Sequence, residues 1–185
     1  MDLPLIIEKA WKIVDEHGAS KLSTRALAAE LNVQSPALYW YFRSKEELLS
    51  LMIENLLHSS LNDSPAGMEW HEWIKHVARR QRDLFLSHRD SSIIASIAKP
   101  SEKLRTELFP KMFQPMIDAG ISPQQASSAA GALASMVLGW VRYEQREETR
   151  QFVEAFHSSD EGFEFALDAL VRGISSKVQR PAEKG

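Results

Sequence analysis

Apolar side chains recur every three or four positions along nearly the whole chain, which is the spacing of one face of an α-helix. One apolar stripe covers residues 6–14 and is ended by Gly18. Another covers residues 48–56, in a long helix predicted to begin just after Ser44, because Ser44 and Glu47 form a capping-box pattern. The second half of the chain shows no sustained alternation of period two, so the pattern predicts an all-α protein.

Two shorter helices joined by a tight turn are predicted between these stripes. Ser23 can cap the first of them, and Asn32 lies at the turn, where asparagine tolerates the left-handed conformation. Ser35 and Pro36 favour a helix beginning at Pro36, because serine accepts a hydrogen bond from a free amide and proline suits the first helical position. Such a pair forms a helix-turn-helix unit, whose second helix typically enters the major groove of DNA.

The second helix of this unit is predicted to carry aromatic side chains on its outer side. Leu38 and Phe42 are four residues apart and can face inward, which leaves Tyr39, Trp40 and Tyr41 outside or at the rim. Because tyrosine hydroxyls donate hydrogen bonds to phosphate oxygens, double-stranded DNA is the first partner to consider. The alternative is an inert packing unit in which the aromatic side chains form a buried cluster.

The ordered series of motifs in the first 50 residues resembles the tetracycline-repressor (TetR) family of bacterial transcription regulators. The motifs are Leu-Ser-Thr-Arg at 22 to 25, Leu-Ala-Ala-Glu-Leu at 27 to 31 and Ser-Pro-Ala-Leu-Tyr-Trp-Tyr-Phe-Arg-Ser-Lys-Glu-Glu-Leu at 35 to 48. The resemblance implies a three-helix DNA-binding domain over residues 1–48 and a helical ligand-binding and dimerisation domain over residues 49–185. The DNA-binding residues that it implies are Thr24, Arg25, Ser35, Ala37, Tyr39, Trp40, Tyr41 and Lys45.

Charge does not favour a broad DNA-binding face. The chain has a net charge of −3, and in residues 1–50 the acidic side chains slightly outnumber the basic ones. We therefore expect binding to depend on a few placed contacts and on helix N-termini, with a modest dependence on salt.

The remaining composition limits the possible classes of protein. The chain has no cysteine, which excludes disulfides and thiol chemistry and fits a cytoplasmic protein. Its N-terminus, Met-Asp-Leu-Pro, does not have the pattern of a signal peptide. A linker is expected at residues 62–67 and a frayed tail at residues 181–185.

Helices are also predicted beyond the linker. An apolar stripe of Trp70, Trp73, Val77 and Leu84 marks one of them, and the helix over about residues 101–118 should be kinked by two prolines, Pro110 and Pro115. Kinks beside methionine and aromatic side chains can open a pocket, although ordinary packing irregularity explains them equally well. The candidate ligand-binding residues, chosen from polarity and helical spacing, are Trp73, Gln81, Phe85, Ile94, Met112, Met116 and Trp140.

The stretch from residue 119 to residue 141 carries no charge, and small side chains recur in it every four positions. A membrane span is the competing interpretation, but proline, glutamine and serine residues dilute the apolar run too far. We expect this helix and the last one to form a four-helix bundle with a second copy, so that a homodimer reads a palindrome with half-sites ~34 Å apart or a multiple of that distance. The candidate interface residues are Gly131, Ser135, Gly139, Leu167, Leu170 and Ile174.

The resemblance does not extend to the drug contacts of the tetracycline-binding members of the family. Leu61 and Ala95 stand where those members have histidines, Val77 stands at their asparagine, and Gln81 stands at their pocket phenylalanine. The resemblance therefore implies an effector other than Mg-tetracycline, and a small, more apolar molecule is the better hypothesis.

Catalysis has little support in the sequence. His71 and His76 are five residues apart, about 140° around a helix, so they cannot share a metal ion on one face. We expect no metal, no cofactor and no enzymatic activity. The favoured hypothesis is a dimeric repressor released by a small molecule; the alternatives are a DNA-binding dimer without a ligand switch and a helical binding protein that does not bind DNA.

Overall fold

The computed structural model describes residues 1–62 and 67–178. This part of the chain is helical and has no strand, which confirms the predicted fold class. The predicted tail and most of the predicted linker lie outside the described residues. The α-helices are α1 (Leu3–His17), α2 (Thr24–Glu30), α3 (Lys45–Asn62), α4 (Trp70–Leu86), α5 (Ser91–Ile97), α6 (Phe109–Asp118), α7 (Pro123–Glu144), α8 (Glu147–Glu154) and α9 (Ser159–Val178).

Local side-chain caps set the helix starts of the N-terminal head, by which we mean residues 1–44. Ser23 Oγ accepts a hydrogen bond from the amide of Ala26, and Ser44 Oγ accepts one from Glu47, each at 3.1 Å, as the sequence predicts. Glu47 departs from the capping-box pattern, because its carboxylate accepts from the amide of Arg43 at 2.6 Å rather than from that of Ser44. Asn32 has a φ of 53°, which confirms the left-handed turn.

The segment after this turn is a 3₁₀-helix, Ser35–Trp40, rather than the α-helix that the sequence predicts. We call it the recognition segment. It begins one residue earlier than expected, Gln34 precedes it, and Ser35 makes no capping hydrogen bond. The amide of Ala37 bonds to the carbonyl of Gln34, and Tyr41 to Leu38, each three residues back. This tighter winding still places Leu38 and Phe42 in the core, as predicted.

Helix α4 lies at the centre of the remaining core and packs against α3, α6, α7 and α9. Its buried face consists of Ile74, Val77, Ala78, Gln81 and Phe85. The predicted stripe packs against the core, with Val77 buried and Trp70, Trp73 and Leu84 partly buried. The most deeply buried face lies to one side of this stripe, so it also includes a polar residue, Gln81.

The predicted helix over residues 101–118 is present, but its winding changes along its length. A π-helix, Leu104–Leu108, leads directly into α6. Pro110 lies in the first turn of α6 and has no amide donor, and the change from π to α winding falls just before it. Pro115 lies inside α6.

The last two long helices, α7 and α9, pack side by side. Leu133, Val137 and Val141 of α7 and Leu167 of α9 are buried within the protomer. Among the described residues, no helix combines the length and the apolar character that crossing a bilayer requires.

Candidate nucleic-acid interface and ligand cavity

Two aromatic side chains project from the recognition segment. Tyr39 is 56% exposed and Trp40 is 91% exposed, whereas Leu38 and Phe42 beside them are buried. Exposed aromatic side chains next to buried ones can contact a partner, and a tyrosine hydroxyl can donate a hydrogen bond to a phosphate. The recognition segment thus presents a surface suited to nucleic acid.

Tyr41 is placed differently from its two neighbours. It is half-buried, and its hydroxyl donates a hydrogen bond of 2.6 Å to the backbone carbonyl of Met1. This contact holds the start of the chain against the recognition segment. The hydroxyl therefore already has a partner. DNA contact through it remains a prediction, and it would require this hydrogen bond to be replaced by one to DNA.

The other predicted DNA-binding residues lie at helix starts. Thr24 and Arg25 begin α2, and Lys45 begins α3. Ser35 and Ala37 are half-buried in the recognition segment. Free amides at helix N-termini attract phosphate groups, so this arrangement can bind a DNA backbone without a strongly basic surface.

Some carboxylates of the head are already engaged in contacts within the fold. Glu30 pairs with Lys12 at 2.7 Å, and this hydrogen bond lowers the pKa of Glu30. Asp2 accepts a hydrogen bond from the amide of Leu5 at the start of α1. These charges are partly neutralised within the fold, so they oppose an approaching phosphate less than the sequence suggests.

A set of contacts that we call the latch joins the head to the turn between α4 and α5. Asp15 accepts a hydrogen bond from the amide of Arg89 and lies 2.9 Å from the imidazole of His88. The ring of His88 stacks on that of Trp11 at 4.3 Å between centroids. Asp90 accepts from the amide of Ala19 at 2.9 Å.

His88, Arg89 and Asp90 thus form a junction between the head and the α4–α5 turn. Gly18 makes the latch possible, because it has a φ of 87° and a Cβ there would approach Asp90 Oδ2 to 3.3 Å. The head therefore meets the core through short polar contacts as well as through α3.

A single glutamine organises the turn that forms the latch. The side-chain amide of Gln145, at the end of α7, donates to the carbonyl oxygens of Phe85 and His88 and to Ser91 Oγ. Its carbonyl oxygen accepts from the hydroxyl of Ser92 at 2.7 Å. The position of the α4–α5 turn is consequently fixed relative to α7.

A cavity of about 170 Å³, partly open to solvent, lies between α3, α4, α5, the π-helix, α6 and α7. Most of its wall is apolar. The lining residues are Ser50, Ile53, Glu54, Leu57, Gln81, Phe85, Ala95, Ala98, Lys99, Pro100, Leu104, Phe109, Met112, Ala134 and Leu138. Concave, mainly apolar sites with a few polar groups are typical of small-molecule binding.

Only part of the predicted ligand-binding set lies on this wall. Gln81, Phe85 and Met112 line the cavity. The other four residues are placed elsewhere. Trp73 donates to the backbone carbonyl of Met112, Trp140 donates to Ser159 Oγ, and Ile94 and Met116 are fully buried in the core.

The contribution of α3 to the cavity is the feature that sequence reasoning missed. Ser50, Ile53, Glu54 and Leu57 form one side of the wall, although the apolar stripe of α3 suggests only a connecting helix. The available signal was Glu54, a charged residue directly beside the buried Ile53.

Two polar atoms of the cavity wall lack a partner. Gln81 is only 4% exposed, and its Nε2 has no hydrogen bond among the described residues. Glu54 Oε1 is also buried without a hydrogen-bond partner in this part of the chain. Buried polar atoms usually have partners, so both positions have unmet hydrogen-bonding capacity.

The predicted interface residues fall into two groups. Ser135 and Gly139 on α7 are exposed and Gly131 is half-buried, while the half-buried Leu170 and Ile174 line the groove between α7 and α9. Leu167 is fully buried inside the protomer. The structure therefore places Leu167 in the core of one copy, while the other five remain accessible to a second copy.

Comparison with known proteins gives consistent results. The family model described as "Bacterial regulatory proteins, tetR family" matches residues 6–52. The tetracycline repressor protein class A from transposon 1721 of Escherichia coli is 28% identical, over 93% of this chain and 89% of that protein.

Two solved structures are similar over almost their whole length. Mycobacterium smegmatis BioQ is 30% identical with a TM-score of 0.76, over 95% of this chain and 98% of that chain. BioQ has also been solved with its double-stranded DNA operator. A TetR variant from Acinetobacter baumannii AYE, in complex with minocycline, is 28% identical with a TM-score of 0.82, over 99% of this chain and 97% of that chain. This chain therefore belongs to the tetR family of bacterial transcriptional regulators.

Proposed function

We propose that the protein is a repressor that binds a palindromic operator as a homodimer and leaves it when a small molecule occupies the cavity. The observation that carries this proposal is the course of α3. The helix begins at Lys45, five residues after the recognition segment, and its side chains from Ser50 to Leu57 form one cavity wall. At about 1.5 Å per residue, Glu54 lies only about 13 Å along the helix from Lys45.

On the DNA side, Tyr39 and Trp40 supply the exposed aromatic contacts, and Thr24, Arg25 and Lys45 supply contacts to the backbone.

Family members are DNA-binding regulators rather than enzymes. Among the described residues, no three His, Asp or Glu side chains come together in a way that could hold a metal ion.

On the ligand side, release follows if the ligand and the operator favour different positions of the head. A ligand that widens the cavity displaces α3 directly. It also displaces Phe85, whose backbone carbonyl is held by Gln145 and Ser91 at the turn that forms the latch. The two heads of a dimer then adopt a spacing that no longer matches the operator, which is a shift in population between two arrangements.

The structural relatives support both halves of the proposal. BioQ binds a DNA operator, and the A. baumannii TetR variant binds minocycline. The resemblance to the tetracycline-binding members of the family implies that their histidines fall near Leu61 and Ala95 and their asparagine at Val77, so none of these side chains is kept. The effector of this protein is accordingly a different small molecule.

The first test is to incubate the purified protein with fragmented genomic DNA of the source organism at physiological salt and to sequence the retained fragments. We expect an enriched palindrome. No enrichment by folded, dimeric protein freed of bound ligand by unfolding and refolding would overturn the proposal.

The selected palindrome then allows a test at one residue. Tyr39→Ala should weaken operator binding about tenfold, because it removes an exposed aromatic contact without disturbing the core. Phe152→Ala is the matched control, since Phe152 is 67% exposed but lies on α8. Fluorescence anisotropy measures both affinities. Equal affinities for the two variants would remove Tyr39 from the interface.

A further inference from the structure

We infer that the effector is a small amphipathic molecule, about one ring in size, whose hydrogen-bond acceptor meets Gln81 and whose donor meets Glu54. This inference rests on the proposed function, because it assigns the chemistry of the ligand that would occupy the cavity. It refines the expectation of a small, more apolar ligand by requiring two polar groups at defined places.

The size of the ligand follows from the cavity. Its volume is about 170 Å³, close to the roughly 150 Å³ of an engineered protein cavity that accepts benzene. Phe85, Phe109 and Leu138 on the wall offer only apolar contact. The greater part of the ligand is therefore apolar.

The polar groups of the ligand follow from the two unpartnered atoms. Gln81 Nε2 is a donor, so it requires an acceptor on the ligand. Glu54 Oε1 is a carboxyl oxygen, so an amine, amide or hydroxyl donor suits it. Neighbouring polar groups do not meet these needs, because Ser50 Oγ donates to the carbonyl of Glu46 and accepts from the amide of Lys99.

Unmet hydrogen bonds also give selectivity. A ligand without polar groups leaves both buried atoms unpartnered, which costs binding free energy relative to a ligand that satisfies them. Gln81 lies on α4 one turn before Phe85, and Glu54 lies on α3. A ligand that bonds to both side chains would therefore bridge the two helices through which we propose that the cavity controls the head.

Three probes of nearly the same shape separate the two contacts. Benzamide carries an acceptor and an N–H donor, acetophenone keeps only the acceptor, and cumene has neither. Dissociation constants can be measured by protein-observed NMR titration. We expect the wild type to bind benzamide about three- to tenfold more tightly than acetophenone, and acetophenone more tightly than cumene by a similar factor.

Two variants assign each of these differences in affinity to one residue. Glu54→Met should abolish the difference between benzamide and acetophenone, and Gln81→Met should abolish the difference between acetophenone and cumene. Leu138→Met, on the same wall, is the control and should preserve both differences. A wild type that prefers cumene, that binds none of the probes, or whose preferences persist in both variants would overturn the inference.

Thermal unfolding without ligand gives a second readout. Replacing an unpartnered buried polar group by an apolar group of similar shape should leave the Tm of Glu54→Met and Gln81→Met unchanged or higher. A lower Tm in both variants would show that these atoms have partners in the free protein, and would contradict the inference. Operator affinity, measured in parallel, separates failure of this inference from failure of the proposed function. A wild type that does not bind the operator counts against the proposed function and not against the ligand chemistry.

Discussion

Asn32 occupies the turn between α2 and the recognition segment with a positive φ of 53°. This left-handed conformation costs an ordinary L-residue about 1 kcal/mol or more, whereas glycine adopts it freely. We expect Asn32→Ala to lower the free energy of unfolding by about 1 kcal/mol and Asn32→Gly to be nearly neutral. Urea unfolding of the three proteins measures the difference. Equal stability of the alanine and glycine variants would contradict the strain argument.

At the scale of single residues, sequence reasoning succeeds where the two partners are close along the chain. Ser23 and Ser44 accept hydrogen bonds from amides three residues ahead, so their spacing alone predicts the caps. The hydroxyl of Tyr41 instead reaches Met1, 40 residues away, which no local pattern predicts. Tertiary packing selects such distant partners. Here it engages the hydroxyl of Tyr41 and leaves Tyr39 as the exposed tyrosine.

The two unpartnered atoms of the cavity wall are partly predictable from the sequence. Gln81 and Glu54 are visible in the sequence as polar residues within apolar stripes. Their burial depends on how far α4 is rotated and on α3 forming a wall, both of which depend on tertiary contacts. Sequence reasoning could therefore suggest Gln81 as a pocket residue but could not find that its amide lacks a partner.

At the scale of helices, periodicity predicts where a helix lies better than how it is wound. The recognition segment is a 3₁₀-helix, and a π-helix precedes α6. Both occur next to prolines, Pro36 and Pro110, which remove an amide donor and so permit more than one hydrogen-bonding register. Side-chain spacing hardly distinguishes these registers over five or six residues.

The contact between α4 and α9 provides a prediction of pH dependence. Arg79 donates two hydrogen bonds of 2.7 Å to the carboxylate of Glu164, and this pairing lowers the pKa of Glu164 below 4.5. A carboxyl group with a lowered pKa in the folded state stabilises the fold above pH 4.5, and this stabilisation is lost as the pH falls through the lowered value. Both side chains are nearly half exposed, so the contribution should be less than about 1 kcal/mol.

Arg79→Met tests this reasoning because it keeps much of the aliphatic stem. We expect the variant to be less stable than the wild type at pH 7 and the difference to shrink between pH 4.5 and pH 3, as measured by urea unfolding. Arg172→Met is the control, since Arg172 is 81% exposed in its pair with Asp168 and should contribute almost nothing. A difference that stays constant down to pH 3 would show that Arg79 acts through packing and not through its charge.

At the scale of the whole molecule, the exposed side of α7 is the predicted dimer face. A Cβ added at Gly131 or Gly139 would meet no other atom within 4 Å, so neither glycine is required by the packing of one protomer. Small residues every four positions do allow two helices to approach closely. The sequence predicted the helix and its small-residue stripe, but it could not distinguish Leu167, which is buried inside one copy, from the accessible Leu170.

Gly131→Leu should weaken the dimer without unfolding the protomer. A Cβ at position 131 has room in one copy, and the substitution improves helix propensity by up to about 1 kcal/mol, but a leucine there would separate the two copies of α7 in the proposed dimer. Sedimentation equilibrium measures the dimer dissociation constant, which we expect to rise at least tenfold, with a parallel loss of affinity for the palindrome. Lys111→Leu, an exposed change on α6, serves as the control. An unchanged dissociation constant in Gly131→Leu would place the interface elsewhere.

The latch has a practical consequence for redesign. Trp11, Asp15, His88 and Asp90 join the head to the core, and none of these side chains lines the cavity. The latch and the cavity wall therefore share no side chain, although under the proposed function α3 and the backbone of Phe85 connect the two. A biosensor for another compound could be obtained by changing only the cavity wall, with the operator and the output promoter left as they are.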